Sequence, residues 1–227
     1  MTTAGIRHHA AIVLLGGVAN RTVDFGELPT NAHVIAADSG VELADILGLR
    51  VNTLIGDMDS IHPTSLAALS ALDIEVITHS TDKDATDAEL ALLHAARLGA
   101  ERLLVLGTGG GRLDHQLSLF SVLFLEELRL VSIEVRLGGS RAHAIRDGGS
   151  LSVRCDVGSI VGLVPFGGDV HGVSTRGLQW ALHDDSLVVS ASRGASNRAI
   201  DDEIQVSVRS GRLIVTIDQP DDRKETA

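Results

Sequence analysis

The sequence predicts an α/β protein, with a doubly wound, mainly parallel sheet in its N-terminal part and a small antiparallel β-sandwich after it. Three observations carry this. Continuous apolar runs without alternation, such as Ala10–Leu15 and Arg102–Leu106, suit strands buried on both faces. Segments with helix signals separate those runs as far as about residue 146. Beyond Asp147-Gly-Gly149 helical periodicity stops, and short apolar runs recur between turns. The expected domains are residues 1–146 and 147–227, and a chain of 227 residues can bury a core in each.

Taken in order, Ala10–Leu15 reads as a central strand ended by the tight loop Gly16-Gly17. His33–Ala37 is a second strand running into Asp38-Ser39-Gly40, and Val41–Leu47 is a short helix. Thr53–Ile55 is a third strand, which Gly56 turns out of the sheet. Pro63 suits the first position of a helix reaching about Leu72. Glu75–Thr78 is a strand. Thr86-Asp-Ala-Glu89 matches a capping box, with Thr86 as N-cap, and opens a helix ending near Gly99. Arg102–Leu106 is the fifth strand, followed by Gly107-Thr-Gly-Gly-Gly111. Leu113, Leu117, Phe120 and Phe124 recur at i, i+4, i+7 and i+11, which predicts one buried face of a helix. Ile133–Leu137 and Ala142–Ile145 are expected to close the first domain. The second domain is expected to hold strands at Leu151–Cys155, Ser159–Val164, Val170–Ser174, Leu187–Val189, Ile204–Val208 and Leu213–Ile217.

Composition narrows the function classes. The net charge is −11 and no basic run occurs, which argues against nucleic-acid binding. No apolar run approaches membrane-spanning length, and Met1–Ala10 has no signal-peptide core. The one cysteine, Cys155, cannot form an internal disulfide, so a buried structural thiol in a cytoplasmic protein is expected. The histidines lack zinc-ligand spacing, and only His115 falls beside a candidate site.

The chemistry-bearing residues follow predicted strands. Asp38 follows one, Asp57 and Asp59 another, and Asp82, Lys83, Asp84 and Asp87 a third. Gly107–Gly111, Arg112 and Asp114 follow a fourth. All fall at carboxyl edges of parallel strands, where open α/β sheets collect ligands. Asp57 and Asp59, one residue apart beyond Gly56, either converge on a hard cation such as Mg²⁺ or simply make side-chain turns. Crowded carboxylates repel unless a cation neutralises them, which favours the metal reading when they are taken together. Gly110 and Gly111 with Arg112 suit a phosphate cradle ahead of a helix, although the run is neither a dinucleotide fingerprint nor a Walker loop. Arg112 can equally form a surface ion pair, and Asp114 and Asp87 can simply complement a helix dipole. In the second domain Trp180 is either core filler or a stacking surface for a cationic ring. Ser196 and Asn197 either hydrogen-bond a ligand or form a polar turn.

Ala37-Asp-Ser-Gly40, Ile55-Gly-Asp-Met-Asp-Ser60, Asp84-Ala-Thr-Asp-Ala-Glu-Leu-Ala-Leu92 and Gly110-Gly-Arg-Leu-Asp-His115 resemble, in order, the motifs of the thiamine pyrophosphokinase family. Val164-Pro-Phe166, Ser174-Thr-Arg-Gly-Leu-Gln-Trp180 and Ser192-Arg-Gly-Ala-Ser-Asn197 are similar to that family's C-terminal motifs. The resemblance implies a homodimer with active sites between subunits, and pyrophosphoryl transfer from ATP to the thiamine hydroxyl with release of AMP. It implies that Asp57, Asp59 and Asp87 hold Mg²⁺–ATP. The nucleotide site would include Asp38, Ser39, Gly40, Lys83, Gly110, Gly111, Asp114 and His115, with Arg112 acting at the phosphates. Trp180, Ser196 and Asn197 would frame thiamine. A pterin diphosphokinase-like enzyme, an inactive nucleotide-binding module and a D-x-D nucleotide-sugar transferase are the alternatives. The transferase leaves the C-terminal motifs unexplained.

Overall fold

The computed structural model describes residues 9–17, 23–58 and 74–220, in two compact units that divide between Gly138 and Gly139. The helix expected from Pro63 and the candidate ligand Asp59 lie outside the described residues.

The first unit is built on a parallel sheet. Its strands are β1 (Ala10–Leu15), β2 (His33–Ala37), β3 (Thr53–Gly56), β4 (Glu75–Thr78), β5 (Arg102–Gly107) and β6 (Ser132–Leu137). They run in the spatial order β4-β3-β2-β1-β5-β6. Every pairing among them is parallel. The chain fills one side of β1 first, then crosses from β4 to the other side, so the order reverses at the β1/β5 boundary. Such a reversal opens a crevice at the carboxyl edge. Three α-helices lie among the described residues: α1 (Gly40–Leu47), α2 (Asp87–Arg97) and α3 (Leu113–Val122). Successive strand residues face opposite sides. Ile12 and Leu14 therefore join Val41, Leu43 and Ala44 of α1 in one core cluster. The alternate residues Val13 and Ile35 are fully buried too, and α2, whose Ala91, Leu92 and Ala95 are buried, packs along β1–β3. That two-sided burial is the physical meaning of the unbroken apolar runs.

Helix α2 starts as its capping box predicts: the Thr86 hydroxyl accepts from the Glu89 N–H at 3.2 Å. Helix α3 has a different buried face from the one expected. Leu113 and Leu117 are 68% and 57% exposed, whereas Leu119, Val122 and Leu123 are buried. Phe124 is buried as expected, but just past the helix end. A ten-residue helix lets apolar side chains fall on both sides, and spacing alone does not say which side meets the sheet.

The second unit is antiparallel. Its strands are β7 (Ser140–Arg146), β8 (Ser150–Arg154), β9 (Ile160–Pro165), β10 (Val170–Arg176), β11 (Asp185–Leu187), β12 (Asn197–Arg198), β13 (Glu203–Ser207) and β14 (Arg212–Asp218). One layer has the order β7-β14-β9-β12 and the other β11-β10-β13-β8. Val161, Leu163, Val215 and Ile217 from the first layer and Val173, Ile204 and Val206 from the second form one core, which makes a sandwich. Strand β7 was expected to close the first domain. It pairs along its length with β14, from Arg146 opposite Arg212 to Arg141 opposite Ile217, and so goes with the sandwich. Cys155 is half-buried against the same core, and burial raises its thiol pKa.

Candidate functional site

A cleft of about 590 Å³ lies in the first unit, lined by the loops that leave β1, β2, β3, β4 and β5 at their carboxyl ends. Close backbone packing builds its floor. A Cβ on Gly40 would stand 2.0 Å from the Leu14 carbonyl oxygen, and one on Gly16 would stand 2.1 Å from the Ser39 hydroxyl. The turns after β1 and β2 can therefore nest only because Gly40 has no side chain, while a side chain at Gly16 would displace the Ser39 hydroxyl. Likewise a Cβ on Gly56 would lie 3.1 Å from the Asp38 Cβ, so the ends of β2 and β3 are in contact. Asp38 carries a left-handed φ of 48°, and its N–H donates to the Ile55 carbonyl at 2.8 Å. Met58, just past Asp57, has φ 67°. Left-handed residues at two adjacent strand ends fit a site that aims side chains out of the sheet.

Three charged side chains meet in this cleft. The Lys83 ammonium lies 3.0 Å from an Asp87 carboxylate oxygen and 3.4 Å from one of Asp57. All three side chains are only 15–23% exposed. Burial works against the lysine charge, but the hydrogen bond and charge of Asp87, followed by the charge of Asp57, outweigh it and raise the Lys83 pKa. Asp57 and Asp87 come from different elements, one after β3 and one at the start of α2, and already hold a single cation between them. Among the described residues no group of three metal-ligating side chains converges. Two carboxylates suffice for an ion that takes its remaining ligands from phosphate and water, as Mg²⁺ does.

The glycine loop lines the same cleft. Gly109, Gly110 and Gly111 have φ of 74°, 76° and 78°, a run that side-chain-bearing residues strongly disfavour. A Cβ on Gly110 or Gly111 would meet nothing within 4 Å, so the peptide backbone there is open to a ligand. The Gln116 amide donates to the Gly110 carbonyl at 2.6 Å and ties this loop to α3. Arg112 is the N-cap of α3 and is held by two bonds to Asp114, of 3.1 and 2.6 Å. Asp114 also accepts the His115 N–H at 3.0 Å. The hydrogen bond from Arg112 depresses the Asp114 pKa, and the reciprocal bond raises that of Arg112.

The cleft thus gathers Asp38, Ser39, Asp57, Lys83, Asp87, Gly110, Gly111, Arg112 and His115 of the residues singled out in the sequence. Gly40 and Asp114 are not in its lining. Gly40 instead packs its backbone against the Leu14 carbonyl, and Asp114 pairs with Arg112. Asp82 and Asp84 are exposed beside it and do not line it. Sequence reading missed Gly17, Thr86 and Gln116 as lining residues. The Gly16-Gly17 turn at the end of β1 was the available signal, since it ends at the same edge as the acids.

In the second unit Trp180 is 57% exposed and so is not core filler. Its backbone is bracketed by one side chain. The Trp180 N–H donates to Asn197 Oδ1 at 3.1 Å, and Asn197 Nδ2 donates to the Trp180 carbonyl at 2.8 Å. Asn197 Oδ1 also accepts the Arg198 N–H at 2.8 Å, and the residue is 6% exposed. Its amide is therefore occupied with protein, and its evident task is to hold the Trp180 segment. Ser196 is exposed, with φ 59°, on a loop fixed from below: a Cβ on Gly194 would stand 2.0 Å from the Leu163 carbonyl oxygen.

Residues 27–134 match the family model for the thiamin pyrophosphokinase catalytic domain, and residues 150–213 match the model for the vitamin B1 binding domain of the same family. The chain is 30% identical over 180 residues to thiamine pyrophosphokinase 1 of Oryza sativa subsp. japonica, an alignment covering 74% of this chain and 66% of the relative. It is 24% identical over 206 residues to thiamine pyrophosphokinase of Bacillus subtilis, covering 89% of this chain and 95% of the relative. The alignments with thiamine pyrophosphokinase 1 of rice and of Arabidopsis thaliana span 66% and 64% of those proteins' length. The crystal structure of thiamine pyrophosphokinase from Bacillus subtilis matches with a TM-score of 0.79 at 22% identity, covering 92% of this chain and 99% of that one. That of thiamin pyrophosphokinase from Candida albicans matches with a TM-score of 0.71 at 13% identity, covering 93% and 90%. These two structures share the fold, and the two family models together account for most of both units. The chain belongs to the thiamine pyrophosphokinase family.

Proposed function

We infer that this chain transfers the pyrophosphoryl group of ATP to the hydroxyl of thiamine, giving thiamine diphosphate and AMP, with Mg²⁺ bound in the cleft of the first unit. The observation that carries this reading is the juxtaposition of Asp57 and Asp87 on one cation, in a cleft also lined by an open run of glycine peptides. Asp57 and Asp87, with Asp59, would hold the metal. Bound there, Mg²⁺ supplies neutralisation of the polyphosphate charge and Lewis-acid polarisation of a phosphoryl oxygen.

The chain's own residues do the rest. The peptide N–H groups of Gly110 and Gly111 face the phosphates at the start of α3, where a helix N-terminus favours anions. Arg112, paired with Asp114 in the free protein, would turn its guanidinium to charge that develops on the transferred group. Asp38 and Ser39 line the nucleotide side. The thiamine hydroxyl oxygen bonds to the β-phosphorus while the bond from that phosphorus to the bridging oxygen of AMP breaks. AMP leaves with the electron pair, and the hydroxyl proton passes to a carboxylate of the cleft. Holding nucleophile and leaving group in line is the main catalytic demand in such transfers.

Trp180, exposed and backbone-fixed, gives a flat surface for the cationic thiazolium ring, and the chain's net negative charge favours the approach of a cation. A homodimer with active sites between subunits accompanies this reading. Leu113 and Leu117, exposed on α3, and Trp180 are the apolar surfaces it would cover. Among the described residues no helix is long and apolar enough to cross a membrane, and the proposal places the enzyme in the cytoplasm.

The test is AMP release from ATP and Mg²⁺ with thiamine, with a pterin alcohol, and with no acceptor. Release that depends on thiamine supports the assignment. Release that depends on the pterin transfers it to the pterin class, and none with any acceptor leaves a nucleotide-binding module.

A further inference from the structure

We propose that Lys83 is a built-in counter-cation for the metal position, so that a divalent ion alone binds weakly and enters efficiently only together with a polyphosphate. This rests on the reading of Asp57 and Asp87 as metal ligands.

Lys83 Nζ stands between those two carboxylates at 3.4 and 3.0 Å, where an ion shared by both must also sit. All three side chains are mostly buried, so their charges are poorly screened. The residue choice is informative. Of the 19 basic residues in the chain, the lysines are Lys83 and Lys224, and the rest are arginine. A lysine offers a compact charge on a flexible stem, able to swing away, whereas the planar arginine fork locks onto carboxylates.

The charges decide the order of events. With Lys83 in place the two carboxylates retain one net negative charge. A divalent ion arriving alone must drive the ammonium off and leave it half-buried beside a dication. An ion arriving on a polyphosphate brings the anion to which the ammonium can turn, and the glycine loop that would hold that anion lines the same cleft. Metal and nucleotide then raise one another's affinity, and the coupling is reciprocal.

The experiment is titration with MnCl₂ alone, free Mn²⁺ being read by electron paramagnetic resonance, on the native protein, K83Q and K83R. Thermal unfolding checks that each variant folds. K83Q is expected to bind Mn²⁺ at least tenfold tighter than the native protein, and K83R, which keeps the charge, to bind it as weakly. Equal or weaker binding by K83Q overturns the proposal, because Lys83 would then be organising the carboxylates instead of competing with the ion. A second measurement needs no stable glutamine variant. Reductive methylation of the native protein gives ¹³C-dimethyl-lysine signals from its two lysines. Mg²⁺ alone should leave the Lys83 signal in place, and Mg²⁺ with a non-hydrolysable ATP analogue should shift it. A full shift with Mg²⁺ alone overturns the proposal. AMP release without any effect of K83Q on Mn²⁺ affinity sinks this inference and leaves the proposed function intact. Tighter Mn²⁺ binding by K83Q in a protein that releases no AMP sinks the proposed function and leaves this inference intact.

Discussion

Asp57→Asn separates a structural carboxylate from a metal-holding one. Asparagine keeps the shape and removes the charge. At an effective dielectric constant of about 20, the attraction lost between charges 3.4 Å apart is about 5 kcal/mol. The same change relieves repulsion from Asp87, whose oxygen also touches Lys83 at 3.0 Å and so lies within about 6.4 Å of that of Asp57. At the same dielectric that is worth about 2.5 kcal/mol or more. Hydration regained by a poorly exposed carboxylate offsets most of the remainder, leaving a folding cost of about 1 kcal/mol. For a chain of this size that is a fall in Tm of about 2–4 °C. Losing a charged group that holds the reacting polyphosphate costs far more, about 10²–10³-fold in turnover, or roughly 3–4 kcal/mol. Thermal unfolding and thiamine-dependent AMP release, measured on one preparation, should therefore diverge. A Tm drop above about 10 °C would show that Asp57 holds the fold together. Near-native turnover would remove it from the metal site.

Other perturbations address other links. Trp180→Ala should raise the KM for thiamine by about tenfold or more with little change for ATP or in Tm, because the indole is more than half exposed; a KM effect on ATP alone contradicts the assignment. Asn197→Ala should destabilise by about 1–3 kcal/mol, since it removes three part-buried hydrogen bonds to the backbone at Trp180 and Arg198, and denaturant unfolding reads this directly. Gly40→Ala should fail to give soluble protein or lose several kcal/mol, because its Cβ would overlap the Leu14 carbonyl; a native Tm would disprove the close packing of the β1 and β2 turns. Burial depresses the His94 pKa, only partly countered by the screened charge of exposed Glu75, while Arg97 adds to the depression. A depressed histidine binds protons more readily when unfolded. Its contribution is thus present above pH 6.5 and is lost as pH falls below that value. His94→Gln should flatten that part of the stability–pH curve.

Much of this was readable because single physical demands leave direct marks. Strands buried on both faces must be apolar throughout, so β1, β2 and β5 stood out. The Thr86 hydroxyl and Glu89 N–H are neighbours along the chain, so their cap was visible in four residues. Parallel strands bring their carboxyl ends to one rim, which is why Asp38, Asp57, Lys83 and Asp87 share a cleft although they are distant in sequence. The remainder depends on partners that the sequence does not name. The exposure of Leu113 and Leu117 depends on which side of α3 meets the sheet. Strand β7 pairs along its length with β14, some seventy residues away, which no local pattern announces. Asn197 read as either a ligand contact or part of a polar turn, because nothing local shows that its amide also bonds the Trp180 backbone. Arg112 and Asp114 were each recognisable, and their bidentate pairing was not.

The central claim, that carboxylates on the carboxyl rim of the parallel sheet hold a metal polyphosphate, is tested most directly by the position of the ion. Crystals of the protein with Mn²⁺ and a non-hydrolysable ATP analogue, measured at an anomalous-scattering wavelength, should show the ion ligated by both Asp57 and Asp87, with phosphates on the Gly109–Gly111 side. An anomalous peak touching neither carboxylate, in crystals where the analogue is bound, would contradict the account.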